Sequence, residues 1–274
     1  MARQRVSQRV LDLVRGAVTV ESGPARLPAG DRAAVIASWG PDARVSRSLA
    51  ELVQALHAVG YPSIVVRASE DRSPLQWPIA PPASTIVVRK PNVGYDFGSW
   101  VVGMDRFPAV AKRKHVILVN DSMVGPFTAL DDMVTSFEST AADVWGATNT
   151  RQFAPHLQSY LLGFKRGALA DPAVRQFWRS VDHLEDKSRI IGEYELGLSN
   201  LLRAEGLTTR AWFDAERVVA PTDNPVVNGW HSLIELGFPF VKREVIRDPS
   251  VSLDARFAPE IIRERFGADV AEWL

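Results

Sequence analysis

The chain contains no cysteine. Disulfides, thiolate zinc sites and cysteine nucleophiles are therefore excluded, and nothing in the sequence requires an oxidising compartment. No apolar run approaches the roughly 18 residues that a membrane-spanning helix needs. Net charge is missing too, because 32 Lys and Arg balance 32 Asp and Glu. No global field then draws the chain to nucleic acid or to an acidic polymer, and any charged ligand must be held by a local arrangement. No G-x-G-x-x-G follows the first apolar run, which argues against a dinucleotide-binding oxidoreductase. Arg3, Arg5 and Arg9 precede only the short and charged VLDLV, too little for the apolar part of a signal peptide. These absences together predict a cytoplasmic protein.

What is present is ordinary globular material: 274 residues, 46% hydrophobic and 23% charged, enough chain for one large core. In residues 5–15, Val6, Val10, Leu13 and Val14 recur at helical spacing beside Arg3, Arg5, Arg9 and Arg15. That pattern fits either a short helix packed on the domain or a peripheral foothold, through residues 3–15, on the anionic inner face of the plasma membrane. Residues 1–30 read as this helix and a linker, and residues 31–274 as a single domain closed by C-terminal helices over 251–274.

The run AAVIASW (33–39), stopped by Gly40-Pro41, predicts a buried strand. A helix is expected over 46–59, with Leu49, Leu52, Val53 and Leu56 on one face and Gly60 as its stop. Strands SIVVRAS and STIVVRK, a helix over 97–105, and a strand HVILVN (115–120) follow. Further strands are expected at ADVWGAT, SYLLGFK and TTRAWF, with helices over 172–184 and 192–204. Continuously apolar strands alternating with amphipathic helices predict an α/β fold, a mostly parallel central sheet flanked by helices. Ligands in such sheets bind beyond the carboxyl ends of the strands, so the loops starting at Ser38, Arg89 and Asn120 should share one rim.

The loop after the STIVVRK strand carries Arg89, Asn92, Gly94, Tyr95, Asp96, Phe97, Gly98, Ser99 and Trp100. Gly94 and Gly98 allow close backbone approach, while Asp96 or Tyr95 could cap the helix and leave amides aimed at a ligand. A capped helix after a turn, with no ligand, explains the same residues. Asn120, Asp121 and Ser122 end the HVILVN strand, where a carboxylate often holds a divalent cation and where turn-forming side chains are also favoured regardless of function. His156, Gln158 and Trp145 are polar or amphipathic side chains among apolar ones, suited either to an acceptor contact or to a satisfied interior. Trp39 and Trp100 lie on the expected ligand rim, where either could stack on a base or sugar.

In their sequence order these segments resemble the rhamnan synthesis F family of glycosyltransferases. Its pattern includes R-x-N-x-G-x-D-x-G-S-W and then an apolar strand ending N-D-S with G-P close behind. The resemblance continues through DVWGAT, HLQSYLLGFKR, FW and GFPFVKREVIRDP, covering about residues 33–250. It implies a glycosyltransferase A type fold, with a Rossmann-like nucleotide-sugar half over about 31–125 and an acceptor half over about 126–250. It also implies transfer of a sugar, typically L-rhamnose from dTDP-rhamnose, onto a polysaccharide or lipid-linked glycan.

On that resemblance the donor is held by Ser38, Trp39, Arg89, Asn92, Gly94, Tyr95, Asp96, Gly98, Ser99, Asn120, Asp121 and Ser122. Many such enzymes carry Asp-x-Asp where this chain has Asn120 and Ser122 around Asp121. A Mg²⁺ or Mn²⁺ site would then rest on Asp121, with the late His231 completing its shell. Arg89, Lys90, Lys242 and Arg243 are the alternative partners of the diphosphate. IIGEYELGLSNLLRAEG (190–206) resembles the helix that carries the base of inverting glycosyltransferases, which places Glu193 in that role with Glu195 as its neighbour. Acidic residues also favour helix N-termini through the macrodipole alone. A different expectation is a catalytically inert carbohydrate or nucleotide-sugar binding module of a polysaccharide-assembly complex, for which the loss of paired carboxylates at 120 and 122 is the argument.

Overall fold

The computed structural model describes residues 8–274. The apolar runs become strands β1 (Thr19–Ser22), β2 (Arg32–Trp39), β3 (Ser63–Ala68), β4 (Ile86–Lys90), β5 (His115–Asn120), β6 (Met123–Val124), β7 (Val144–Thr150), β8 (His156–Leu157), β9 (Leu161–Lys165), β10 (Thr209–Phe213) and β11 (Val241–Lys242). The main sheet runs in the order β1-β4-β3-β2-β5-β9-β7-β10, with β8 beside β7. Strands β4, β3, β2, β5, β7 and β10 share one direction, while β1, β8 and β9 oppose it. The expected mostly parallel sheet is therefore present, and it runs unbroken through both halves of the chain.

Register decides which side chains meet at the strand ends. Ala37 of β2 lies opposite Asn120 of β5, and Ser38 lies opposite Arg67, which lies opposite Arg89. The two faces of these strands carry separate apolar sets, Val35, Val66 and Leu118 on one and Ile36, Val65 and Ile117 on the other. Helices on both sides cover them, which explains why the runs are apolar throughout rather than alternating.

Helices α1 (Val10–Leu13), α2 (Arg47–Ala58), α3 (Tyr95–Arg106), α4 (Asp131–Ser139) and α5 (Pro172–Arg179) pack on the sheet or its flanks. Ser46 caps α2 by accepting from the Leu49 amide at 3.3 Å, and Gly60 ends it at φ +81°. The apolar face of α2 buries Leu49, Leu52, Val53 and Leu56. On the other face α3 lays Trp100 and Gly103 on the sheet, and the Trp100 indole N–H donates to the Val119 carbonyl at 3.1 Å. A Cβ at Gly103 would come within 2.7 Å of Val35 Cγ1 and 3.1 Å of Val66 Cγ2, so this helix touches the strands backbone-first.

A second helical stretch joins α6 (Lys187–Ile190), a π-helical turn over Ile191–Leu196, and α7 (Gly197–Ala204). The C-terminal part adds α8 (Pro225–Asn228), α9 (Trp230–Glu235), α10 (Arg243–Arg247) and α11 (Ala258–Phe266). These close over the short β6–β11 ladder, where Val124, Trp230, Val241, Val245, Ile262 and Trp273 form a third apolar cluster.

Three expectations need correction. Residues 1–30 are not helix and linker only: β1 pairs with β4 and closes one edge of the sheet. The helix expected over 5–15 has Val10–Leu13 within the described residues, with Val10 and Val14 in the core, and Arg3, Arg5 and Val6 lie outside them. The helix expected over 172–184 ends at Arg179.

Valine at 103 tests the close packing of α3. Helix propensity favours Val over Gly by a few tenths of a kcal/mol, whereas overpacking a tight contact costs about 1–3 kcal/mol. Gly103→Val should therefore lower the urea midpoint of unfolding without changing its slope. An unchanged midpoint would contradict the contact.

Candidate functional site at the carboxyl ends of the strands

Asp121 follows β5 and sits where β2, β3 and β5 end. Its backbone N–H donates to the Ala37 carbonyl at 3.1 Å. Its Oδ2 accepts from Ser38 Oγ at 2.7 Å and from the Trp39 amide at 3.2 Å. Behind Ser38 stands Arg67, whose Nη1 donates to Ser38 Oγ at 2.8 Å and lies 3.9 Å from Asp121. Its Nη2 donates to the carbonyls of Asp42 and Arg44. Arg243, at the start of α10, donates from Nη2 to the Asp121 carbonyl at 3.2 Å and from its amide to the Ser122 carbonyl at 2.9 Å. Burial pushes the Asp121 carboxyl up, against the opposing pull of Ser38, Arg243 and Arg67, and burial pushes both guanidiniums down.

Asp96, in the first turn of α3, faces the same point. Asn120 Nδ2 donates to its Oδ2 at 2.7 Å, while Asn120 Oδ1 accepts from Ser122 Oγ at 2.7 Å and from the Ser122 amide at 3.1 Å. Burial first, and then the charges of Asp121 and Glu195, push the Asp96 carboxyl up to about 7. This explains the departure from Asp-x-Asp. A carboxylate at 120 would face Asp96 with no donor between them, whereas the amide of Asn120 bridges Asp96 to Ser122. Lys90 is wholly buried beneath this loop, with Nζ donating to the carbonyls of Pro91 at 3.0 Å and Val93 at 2.6 Å. Its burial lowers its pKa to about 8.

The π-helical turn supplies the third carboxylate. Tyr194 turns into the core between Phe97 and Phe177, and its hydroxyl exchanges hydrogen bonds with the backbone of Asp182. Its two neighbours consequently part ways. Glu193 is 47% exposed and paired with Arg189 at 2.5 Å. Glu195 is 21% exposed and points inward, accepting from Ser159 Oγ at 2.6 Å, with Oε2 3.4 Å from His156 Nε2. His156 Nδ1 lies 2.7 Å from the Ala154 carbonyl. A carbonyl only accepts, so Nδ1 carries a hydrogen and Nε2 is the nitrogen that faces Glu195. π-Turns of this kind recur at functional sites because they redirect side chains.

The structure therefore brings together Ser38, Trp39, Asp96, Asn120, Asp121, Ser122, Arg243 and, through its charge on Asp96, Glu195. Trp39 and Tyr95 stand on the rim, 54% and 48% exposed. Several expected residues are placed elsewhere. Arg89 is buried against Glu21 of β1 and the carbonyls of Asp71 and Ser73, so it secures the sheet edge. The space that Gly94 and Gly98 leave open is filled by the Val10 side chain and the Val93 carbonyl, and the Gly94 amide is taken by His183. Among the described residues no side chain caps α3. Ser99 Oγ donates back to the Tyr95 carbonyl, and Asn92 is exposed with its amide on Glu70.

On the acceptor side, Trp145 is packed between Phe137 and Trp212 in the core, as Trp100 is against Phe97 and Trp178. Gln158 is buried between Thr148 and Asn224. Glu193 gives way to Glu195 as the carboxylate that faces the cluster. His231 is 41% exposed, stacked on Trp230 and near Asp254 and Glu235, so its partners belong to the C-terminal cluster and not to Asp121. Lys242 is half-buried at the end of β11, next to Arg243.

A divalent cation does not fit this donor set. Among the described residues no three of His, Asp and Glu gather as a metal-ligating group, and one Asp121 oxygen is already occupied by Ser38 and Trp39. Two guanidiniums, of Arg67 and Arg243, flank the same carboxylate.

Arg67 was not singled out from the sequence, although two signals point to it. It is the one charge inside the otherwise apolar SIVVRA strand. Gly40, which reads as a strand stop, is required because a Cβ there would fall 1.8 Å from the Arg67 guanidinium.

The fold and the site together define a mixed α/β protein with a polar, carboxylate-rich centre at the carboxyl rim of its sheet. The rhamnan synthesis protein F family matches residues 78–270, and the chain belongs to that family. Among curated proteins it is 28% identical over 199 residues to the virulence protein VirA of Vibrio anguillarum, covering 61% of this chain and 64% of that one. It is 25% identical over 147 residues to the uncharacterized protein y4gN of Sinorhizobium fredii, covering 51% and 38%. The match thus spans less than two thirds of either relative's length. Of solved structures, the glycosyltransferase GlyE of Streptococcus pneumoniae superposes over 64% of this chain and 43% of its own, at 10% identity and a TM-score of 0.31, too partial to assign the fold.

The raised pKa of Asp96 has a defined sign. The folded value lies above the ordinary carboxylate value, so ionisation of Asp96 destabilises the native state above about pH 7, and the penalty fades as pH falls toward the unfolded value. Asp96→Asn, which cannot ionise, should stabilise the protein more at pH 8 than at pH 5. Urea unfolding at the two pH values reads this directly, and an equal effect at both would show that Asp96 ionises normally.

Proposed function

We propose that the chain is a nucleotide-sugar-dependent glycosyltransferase of the inverting kind, moving a sugar, L-rhamnose from dTDP-rhamnose, onto a polysaccharide or lipid-linked glycan. The observation that carries this reading is the convergence of Asp96, Asp121 and Glu195 with Arg243 at the carboxyl rim, in a member of the rhamnan synthesis protein F family. Carboxylates and an amide at a strand rim suit the hydroxyls of a sugar and a ribose, which both donate and accept. The exposed rings of Trp39 and Tyr95 suit a base or a sugar face. Such a site also needs positive charge for the diphosphate. Arg243 and its neighbour Lys242 supply it in this reading, with no step routed through a metal ion.

In the reaction, the acceptor oxygen forms a bond to the anomeric carbon as the bond from that carbon to the diphosphate oxygen breaks. The electron pair leaves with the nucleoside diphosphate, and the acceptor proton passes to the base. Glu195 is that base in this reading, because it faces the cluster and is held by Ser159 with His156 behind it. Attack opposite the leaving group converts a β-linked donor into an α-linked product. His156 acts here as a positioning residue.

Three substitutions separate the roles. Glu195→Gln should lower kcat by about 10²–10⁴-fold, the usual contribution of a general base, with donor affinity kept. Glu193→Gln should leave kcat within about twofold, since its partner Arg189 lies on the surface. Arg243→Ala should raise the donor KM. Nucleoside diphosphate release from dTDP-rhamnose, measured with and without acceptor, reads all three. Full turnover by the Glu195 variant would remove the base assignment, and absence of release by the unaltered chain with any nucleotide sugar would favour an inert binding module.

A further inference from the structure

The end of the sheet opposite Asp121 has the reverse charge. There β2 and β5 begin, at Arg32 and His115, β9 ends at Lys165, and α3 runs out at Arg106. Between these ends lies an open cavity of about 840 Å³. Arg26, Arg106, Lys112, Arg113, Lys114 and Arg166 line it with one lining carboxylate, Asp31, and of these cations Arg166 is paired with Asp143 at 2.5 Å.

Some exposed arginines elsewhere, such as Arg15, Arg44 and Arg189, sit against a carboxylate, and others, such as Arg175, Arg210 and Arg263, do not among the described residues, so what marks this place is the gathering of several cations around one cavity. Arg26, Arg106, Lys112 and Lys114 are exposed, and among the described residues their side chains make no hydrogen bond or ion pair. Arg113 is fixed by donating to the carbonyls of Arg32 and Pro28, contacts that leave its charge unneutralised. Like charges gathered without partners repel one another, and a chain with no net charge has no compositional reason to gather them. The cavity floor is partly apolar, from Leu27, Phe107 and Val110.

We propose that this cationic rim is a docking surface for a bilayer rich in anionic phospholipid. A lone phosphate would occupy one or two of these cations. Five cations outside any ion pair among the described residues, around an opening with a partly apolar floor, match a surface that presents many phosphates with carbon chains just beneath them. The six residues of β5 separate this face from the carboxylate rim by roughly 20 Å at 3.3 Å per residue. A docked molecule would therefore present Asp96, Asp121 and Glu195 away from the bilayer. None of residues 8–15 lines the cavity, and the surface does not depend on the proposed transfer reaction.

Vesicle flotation of the full chain tests the surface, with phosphatidylcholine alone and with a third of it replaced by phosphatidylglycerol. Binding should require phosphatidylglycerol and weaken with salt, because surface attraction is screened within about 8 Å at physiological ionic strength. The triple variant Arg106→Glu, Lys112→Glu, Lys114→Glu should lose about a hundredfold or more in apparent affinity. The milder Lys112→Gln, Lys114→Gln pair should lose part of it, with an unchanged melting temperature showing that the fold is intact. Equal binding to neutral vesicles, retention by the charge-reversed variant, or binding of an RNA oligomer without binding of vesicles would each overturn the proposal.

Discussion

The hydrogen bond from Ser38 to Asp121 is the contact on which the site depends. It forms because β2 and β5 are parallel neighbours in a register that sets Ala37 against Asn120, so that the next residue of each strand emerges at the same height. Arg67 from the third strand completes it by donating to the same hydroxyl, and Gly40 leaves the room that the guanidinium needs. A carboxylate held in this way has donors on it in a partly dry place, although burial pushes its pKa up. The remaining groups, Arg243 from the C-terminal ladder and Asp96 through Asn120, are arranged around that carboxylate.

The charge balance of the chain conceals a strong internal separation. Asp96, Asp121 and Glu195 occupy one end of the sheet, where the last two raise the pKa of the first, and a cavity lined mostly by cations lies at the other. Burial makes the acidic end expensive, since two of its carboxyls are pushed up and two arginines pushed down. An arrangement that costs stability and is only partly neutralised internally is a sign that a ligand completes it. The Asn120 amide belongs to the same logic, because it occupies a place where a second aspartate would add repulsion to Asp96.

Much of this was legible in the sequence because it follows from local periodicity. Continuous apolar runs and their glycine stops placed the strands around Ala37, Val66, Val88 and Val119, and the parallel-sheet rule then put Ser38 and Asn120 on one rim. The roles of individual polar residues were less legible, because they depend on partners distant in sequence. Arg89 looked like a ligand for phosphate until β1 supplied Glu21, and β1 itself, four residues at a sheet edge, carries too little pattern to be separated from a linker. The choice between Glu193 and Glu195 turns on a π-helical turn that shifts the helical phase around Tyr194, which an ordinary helical repeat does not anticipate. Gly94 and Gly98 were read as room for a ligand, whereas Val10 fills that room from the other end of the chain.

The central claim is that the carboxylate-rich rim binds a nucleotide sugar, and a ligand that binds the native state raises its melting temperature by mass action. The most direct measurement is a thermal-shift series with dTDP-rhamnose, UDP sugars and GDP sugars, run with and without Mg²⁺ or Mn²⁺, on the unaltered chain and on Arg67→Met. One nucleotide sugar should stabilise the unaltered chain without added metal, and the shift should disappear when Arg67 no longer holds Ser38 and Asp121. If no nucleotide sugar shifts the transition, or if the shift survives intact in Arg67→Met, the rim around Asp121 is not the donor site.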